Sequence, residues 1–133
     1  MRFFIITLGL IGLLSFSAQA QDKSVESVIS GQIEAFGSDD VATAFTFASP
    51  NIQRMFGTPE NFGKMVQGAY PMVWRPAEIT FLDQVRDGIV IWQRLHILDQ
   101  QNTDHWFAYQ MVKINGEWKI NGVFRIDAPG LSA

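Results

Sequence analysis

The chain has 133 residues, 47% of them hydrophobic, with ten Lys and Arg against thirteen Asp and Glu, and it contains no cysteine. A formal charge of −3 with singly scattered basic residues such as Lys23, Arg54, Lys64, Arg75 and Arg94 excludes a nucleic-acid binder, whose affinity comes from clustered cations on phosphates. The lack of Cys excludes disulfides, thiolate metal sites, a thiol nucleophile and lipid attachment behind a leader.

Met1 to Ala20 reads as a cleaved secretory signal peptide. Arg2 supplies the positive end, Phe3 to Leu14 is an uncharged apolar run, and Ala18-Gln19-Ala20 is a small-x-small cleavage pattern. The run is shorter than the roughly 18–20 residues a membrane span needs. Cleavage leaves 113 residues from Gln21 with a formal charge of −4, the size of a single domain. The expected destination is a bacterial periplasm or the exterior, where a domain without disulfides is held by packing alone.

In Asp22 to Phe36 the apolar residues Val25, Val28, Ile29, Ile33 and Phe36 recur at helical spacing, and Gly37 supplies a stop. Ser38 or Asp39 is placed to cap a second helix that buries Val41, Ala44, Phe45 and Ala48 and ends at Ser49-Pro50. Ile52, Met55 and Phe56 suggest a short helical turn ending at Gly57. Thr58-Pro59-Glu60 starts a further helix with the stripe Phe62, Met65, Val66 and Ala69, closed by Tyr70-Pro71.

From Ala77 the period changes to alternation. Asn115-Gly116 is the strongest hairpin signal. A two-residue loop there pairs Lys113 with Trp118, Met111 with Ile120, Tyr109 with Gly122 and Phe107 with Phe124, and puts Trp106, Val112, Val123 and Arg125 on the opposite face. For the earlier hairpin, a three-residue loop Arg86-Asp87-Gly88 pairs Val85 with Ile89, Asp83 with Ile91, Phe81 with Gln93 and Ile79 with Leu95. That register leaves Asp83 and Gln93 as polar intruders on a core face. The expected fold class is α+β, with N-terminal helices packed on one face of a curved antiparallel sheet of four strands.

Several separated blocks also resemble the domain of unknown function 4864 family. These are Gln32 to Phe36, Ala44 to Pro50, Phe56-Gly57-Thr58-Pro59, Phe62, Met65-Val66, Tyr70-Pro71, Tyr109-Gln110-Met111 and Trp118 to Gly122. The family is similar to the nuclear transport factor 2-like superfamily, which implies helices packed into a strongly curved sheet to form a cone. It carries no assigned reaction and so implies no catalytic residues. Related cones serve as isomerase or dehydratase pockets, or as binding and dimerisation modules.

Tyr70, Trp74, Tyr109 and Trp118 are expected to surround the open end of such a cone and form an apolar pocket with two hydroxyls, suited to a small apolar or carbonyl-containing ligand. Asp83, pointed into an apolar face by the preferred register, is the candidate acid/base of a cofactor-independent isomerase or lyase, with Tyr70 or Tyr109 polarising a carbonyl oxygen. The competing reading of Asp83 is a solvated carboxylate or one paired with a neighbouring Arg. His96 and His105 lie near Asp99 and Asp104 in sequence, but no metal-ligand spacing is present, and no dinucleotide, phosphate-loop or nucleophile-elbow motif occurs. Trp92 and Trp106, with Val112 and Val123, are expected on the outer face of the sheet as a homodimer surface or a docking site for a partner in the cell envelope. The expectation is a non-catalytic, cofactor-free and metal-free binding domain.

Overall fold

The computed structural model describes residues 21–130, so the proposed leader lies outside the described residues. Five helices precede four strands: α1 (Lys23–Gly37), α2 (Val41–Thr46), α3 (Pro50–Phe56), α4 (Pro59–Ala69), α5 (Pro71–Trp74), β1 (Glu78–Asp87), β2 (Val90–Leu98), β3 (Asp104–Ile114) and β4 (Glu117–Ile126). The strands form one antiparallel sheet in the order β1-β2-β3-β4. The expected α+β layout is observed.

Short side-chain caps explain where the helices begin. Asp22 accepts the Ser24 amide at the start of α1, and Asp40 rather than Ser38 or Asp39 accepts the Thr43 amide at the start of α2. Ser49 and Thr58 cap α3 and α4, each followed by a proline at the first helical position, where its missing N–H costs nothing. Pro71 closes α4 by opening α5 in the same way. Arg75 then ties this end of the chain back to α1, donating to the Phe36 carbonyl at 2.6 Å and pairing with Asp39 at 2.7 Å. Among the described residues no helix is long and apolar enough to cross a membrane.

The helices cover one face of the sheet, termed here the inner face. Ile91, Leu95 and Ile97 of β2 and Phe107, Tyr109 and Met111 of β3 are buried against Val25, Ile29, Ile33 and Phe36 of α1. On β2 the alternation is strict, with each buried inner residue followed by a half-exposed outer one.

Both hairpins depart from simple pairing by one bulge each. The loop between β1 and β2 is Gly88-Ile89, flanked by the pair Asp87 and Val90, with Gly88 at a φ of +59° that a side chain would resist. This overturns the three-residue loop: Ile89 is 85% exposed at the turn, not part of the core face. Between the pairs Phe81/Leu95 and Gln84/Gln93, Leu82 and Asp83 together oppose the single residue Arg94. The bulge resolves both polar intruders. Asp83 leaves the inner face, while Gln93 stays fully buried and turns its amide on the disrupted backbone, donating to the Leu82 carbonyl at 3.1 Å and the Arg94 carbonyl at 2.8 Å. Gln84 supplies the donor for the Gln93 oxygen at 2.7 Å and links it to the start of α1 through the Asp22 backbone.

The β3–β4 hairpin follows the expected register from the turn through Met111 and Ile120, with both Asn115 and Gly116 at positive φ as a two-residue turn requires. Asn121 is then an extra residue on β4, and the pairing resumes as Gln110 with Gly122 and Tyr109 with Val123. Its side chain accepts from the Ser49 hydroxyl at 2.7 Å and donates to Gln110 at 2.9 Å, so the bulge is fastened to the cap of α3. Beyond it every side chain of β4 changes face. Val123 and Arg125 therefore lie on the inner side and Phe124 on the outer side, a correction to the expected placement of all three. Gly122 leaves room for this, since a Cβ there would meet the Phe124 ring at 2.7 Å.

Candidate functional site

Beneath the helices the inner face does not fill completely. A cavity of about 190 Å³ remains between α1, α3, α4 and the last two strands. Its deep wall is formed by Gln32 and Phe36 of α1, Phe62 and Val66 of α4, and Tyr109 of β3, all buried. Ile52 and Phe56 of α3, Met65 of α4, Tyr70 and Val123 are only partly buried and form the mouth. Aromatic packing holds the shape, because Phe62 meets Phe36, Phe45 and Phe56 at centroid distances of 5.5–5.8 Å.

Polar chemistry in this space is sparse. Gln32 is buried and its amide donates to the Ala44 carbonyl at 3.2 Å, fixing α1 to α2. Tyr109 is fully buried, and its phenolic oxygen has no hydrogen-bond partner among the described residues. Desolvation, with the phenol of Tyr70 nearby, pushes the Tyr109 pKa well above its ordinary value, so the group is a neutral hydroxyl at any physiological pH. A buried Tyr hydroxyl normally finds a partner, and leaving it without one costs about 1–3 kcal/mol.

Of the four residues expected to line the pocket, Tyr70 and Tyr109 do so and the two tryptophans do not. Trp74 packs behind the wall, 5.4 Å from Phe36, with the Arg75 guanidinium over its ring. Trp118 lies beside the Asn115-Gly116 turn, buried under the Lys113 ammonium and bordering a separate surface groove with Asp22 and Phe47. Spacing in the sequence hid Gln32, although a Gln inside the apolar stripe between Ile29 and Ile33 was its signal.

Asp83 does not border the cavity. Its carboxylate pairs side-on with the Arg94 guanidinium on the outer side of the sheet, with Nε of Arg94 2.7 Å from one oxygen, and 46% of its side chain remains exposed. Hydrogen bonding from Arg94 holds its pKa below the usual carboxylate value. The bulge therefore replaces the desolvated base expected there with an ionised, paired carboxylate.

The two histidines pair crosswise with the aspartates. His96 lies 2.7 Å from Asp104 on the outer face with its ring tilted against Trp106, whereas His105 lies 2.8 Å from Asp99 and stacks on Phe107 on the inner side. Asp99 also accepts the amides of Gln101 and Thr103, so it organises the turn, and the His105 hydrogen bond, with these amides, holds its pKa low. The pairs sit on opposite faces, and among the described residues no group of three or more His, Cys, Asp or Glu is placed to hold a metal ion.

The outer face bears Trp92, Trp106 and Val112 as expected, and Phe124 in place of Val123. The Phe124 ring stands 5.7 Å from Trp92 and is half exposed, with Val85 exposed at the β1 edge.

Helices packed on one face of a four-stranded antiparallel sheet make an α+β fold. The fold matches a crystal structure from Shewanella oneidensis MR-1 described as an NTF-2 like protein of unknown function, with a TM-score of 0.55 at 15% identity, over 79% of this chain and 98% of that one. Residues 18–133 match the family described as "Domain of unknown function (DUF4864)", and the chain belongs to that family. No curated protein matches.

Proposed function

We propose that this chain is an exported, non-catalytic binding protein that takes a small, mainly apolar molecule into the cavity and donates a hydrogen bond to it from Tyr109. The unpartnered Tyr109 hydroxyl at the wall of an apolar space carries this reading. The volume supports a ligand of a few to about ten heavy atoms, since a dry cavity of about 150 Å³ already admits benzene. The lining supplies no carboxylate, imidazole or amine, and Asp83 lies elsewhere, so the isomerase or lyase reading has no general base at this place. Export rests on Arg2, the apolar run and Ala18-Gln19-Ala20.

The test compares acetophenone with ethylbenzene, which share a shape but differ in the hydrogen-bond acceptor. Calorimetry on the wild type is expected to show about five- to tenfold tighter binding of acetophenone, the worth of one good buried hydrogen bond. Tyr109→Phe should remove the preference without weakening ethylbenzene. Failure of both compounds to bind, or a preference that survives Tyr109→Phe, overturns the reading.

A second reading concerns the outer face, favoured by the exposed Phe124 against Trp92. We propose that it joins two copies of the chain as an isologous dimer, the simplest closure for a self-complementary sheet face. Sedimentation velocity is expected to show a dimer that Phe124→Glu converts to monomer. A wild type that stays monomeric at high concentration sinks this proposal and leaves the cavity reading intact.

A further inference from the structure

We propose that the molecule taken up by the cavity is a small amphiphilic carboxylate, with a mainly apolar body that carries the acceptor for Tyr109 inside and its anionic head held at the mouth by Arg125. The inference rests on the cavity reading above and adds the charge of the ligand.

Only Gln32, Tyr70 and Tyr109 bring polar side-chain groups to the lining, and none of them is charged. An ionised head group placed inside would lose its hydration without a counter-charge, a penalty of several kcal/mol. The head of an amphiphile must therefore stay at the mouth. Past the Asn121 bulge, the inner-face row of β4 continues from Val123, which lines the mouth, directly to Arg125. The Arg125 guanidinium lies 5.5 Å from the centre of the ring of Tyr70, which forms part of the mouth, and 5.8 Å from that of the buried Phe107, and it borders a shallow groove with Asp104 and His105 next to the cavity.

Arg125 is held in place but not consumed. One terminal nitrogen donates to the Ala69 carbonyl at 3.1 Å, at the end of α4, and a guanidinium has five N–H donors in a planar fork. Arg75 and Arg94 are each paired with an aspartate, whereas Arg125 has no carboxylate within 4 Å among the described residues. Asp104, which borders the same shallow groove, is already engaged by His96. An exposed guanidinium with unused donors beside an apolar cavity matches a planar carboxylate.

The experiment titrates the full chain with hexanoate and with 1-hexanol, which share an alkyl body and differ in charge. The wild type is expected to bind hexanoate at least tenfold more tightly than 1-hexanol, with the difference shrinking as salt is raised. In Arg125→Gln the two affinities should converge while that of 1-hexanol stays unchanged. Arg125→Lys, which keeps the charge and loses the fork, should retain only part of the preference. Equal binding of both probes to the wild type overturns the proposal, as does a parallel loss of both in Arg125→Gln, which would make Arg125 a support for Tyr70 alone. If acetophenone binds and hexanoate does not, this inference fails and the cavity reading stands; if neither enters, both fall.

Discussion

Phe36→Ala is expected to lower the unfolding free energy by about 3–5 kcal/mol, measured by urea denaturation, the range for truncated core aromatics. Phe36 is fully buried near the end of α1, touches Phe62 and Trp74, and forms part of the cavity wall. The cost of such a truncation grows with the void that remains, and here the void joins one that already exists. Its carbonyl also receives the Arg75 guanidinium, so the backbone at this point is pinned and cannot relax inward. Against a total stability of about 5–15 kcal/mol for a domain of this kind, the loss is a large fraction of the whole. A loss below about 2 kcal/mol would show that the helices collapse onto the gap, and that the cavity wall is far softer than its aromatic packing implies.

Gln93→Leu is expected to cost about 2–4 kcal/mol despite replacing a polar core residue by an apolar one of similar size. The amide serves the carbonyls of Leu82 and Arg94, and its oxygen is the acceptor for Gln84. Leucine would take this donor from the two carbonyls, a loss of about 1–3 kcal/mol for each left unpaired, and would leave the Gln84 amide with the Asp22 carbonyl alone, and only part of that is returned by added apolar contact. Hydrogen exchange should show the damage concentrated at β1 around the bulge and at the start of α1, which hangs on the same network through Asp22. A loss below about 1 kcal/mol would mean that water takes over the bulge carbonyls.

The helices were readable because their ends carry local chemistry. Ser49-Pro50 and Thr58-Pro59 are cap-and-proline starts, and both work as such in the structure. The β3–β4 turn was equally local, since Asn115-Gly116 accepts the positive φ angles that the loop demands. The bulges were not readable in this way, because an inserted residue leaves composition unchanged and shifts only the pairing beyond it. The trace of the first was Asp83 and Gln93, polar residues on an otherwise apolar face in the expected register. The cavity was half legible: Tyr70 and Tyr109 stood out as aromatics with a polar tip. Phe62 and Val66 read as an ordinary helical stripe and Gln32 is not among the apolar residues that mark the stripe of α1, and only the packing of α1 against α4 shows that all three border empty space.

The extra residue at Asn121 ties the two faces of the molecule to one another by parity. Upstream of it β4 obeys the turn, and downstream every odd position looks toward the helices and every even one away. Deleting the next residue, Gly122, while the turn and the bulge held their places would reverse the orientation of the strand's last third. The bulky Phe would swing into the space that the smaller Val now leaves open, the guanidinium would move to the opposite side, and Trp92 would lose its ring partner. Pocket, rim charge and outer aromatic pair would all disappear in one genetic step. Substitutions at the individual positions can tune each feature alone, but insertions and deletions in β4 cannot, so its length between the turn and Ile126 is under two constraints at once.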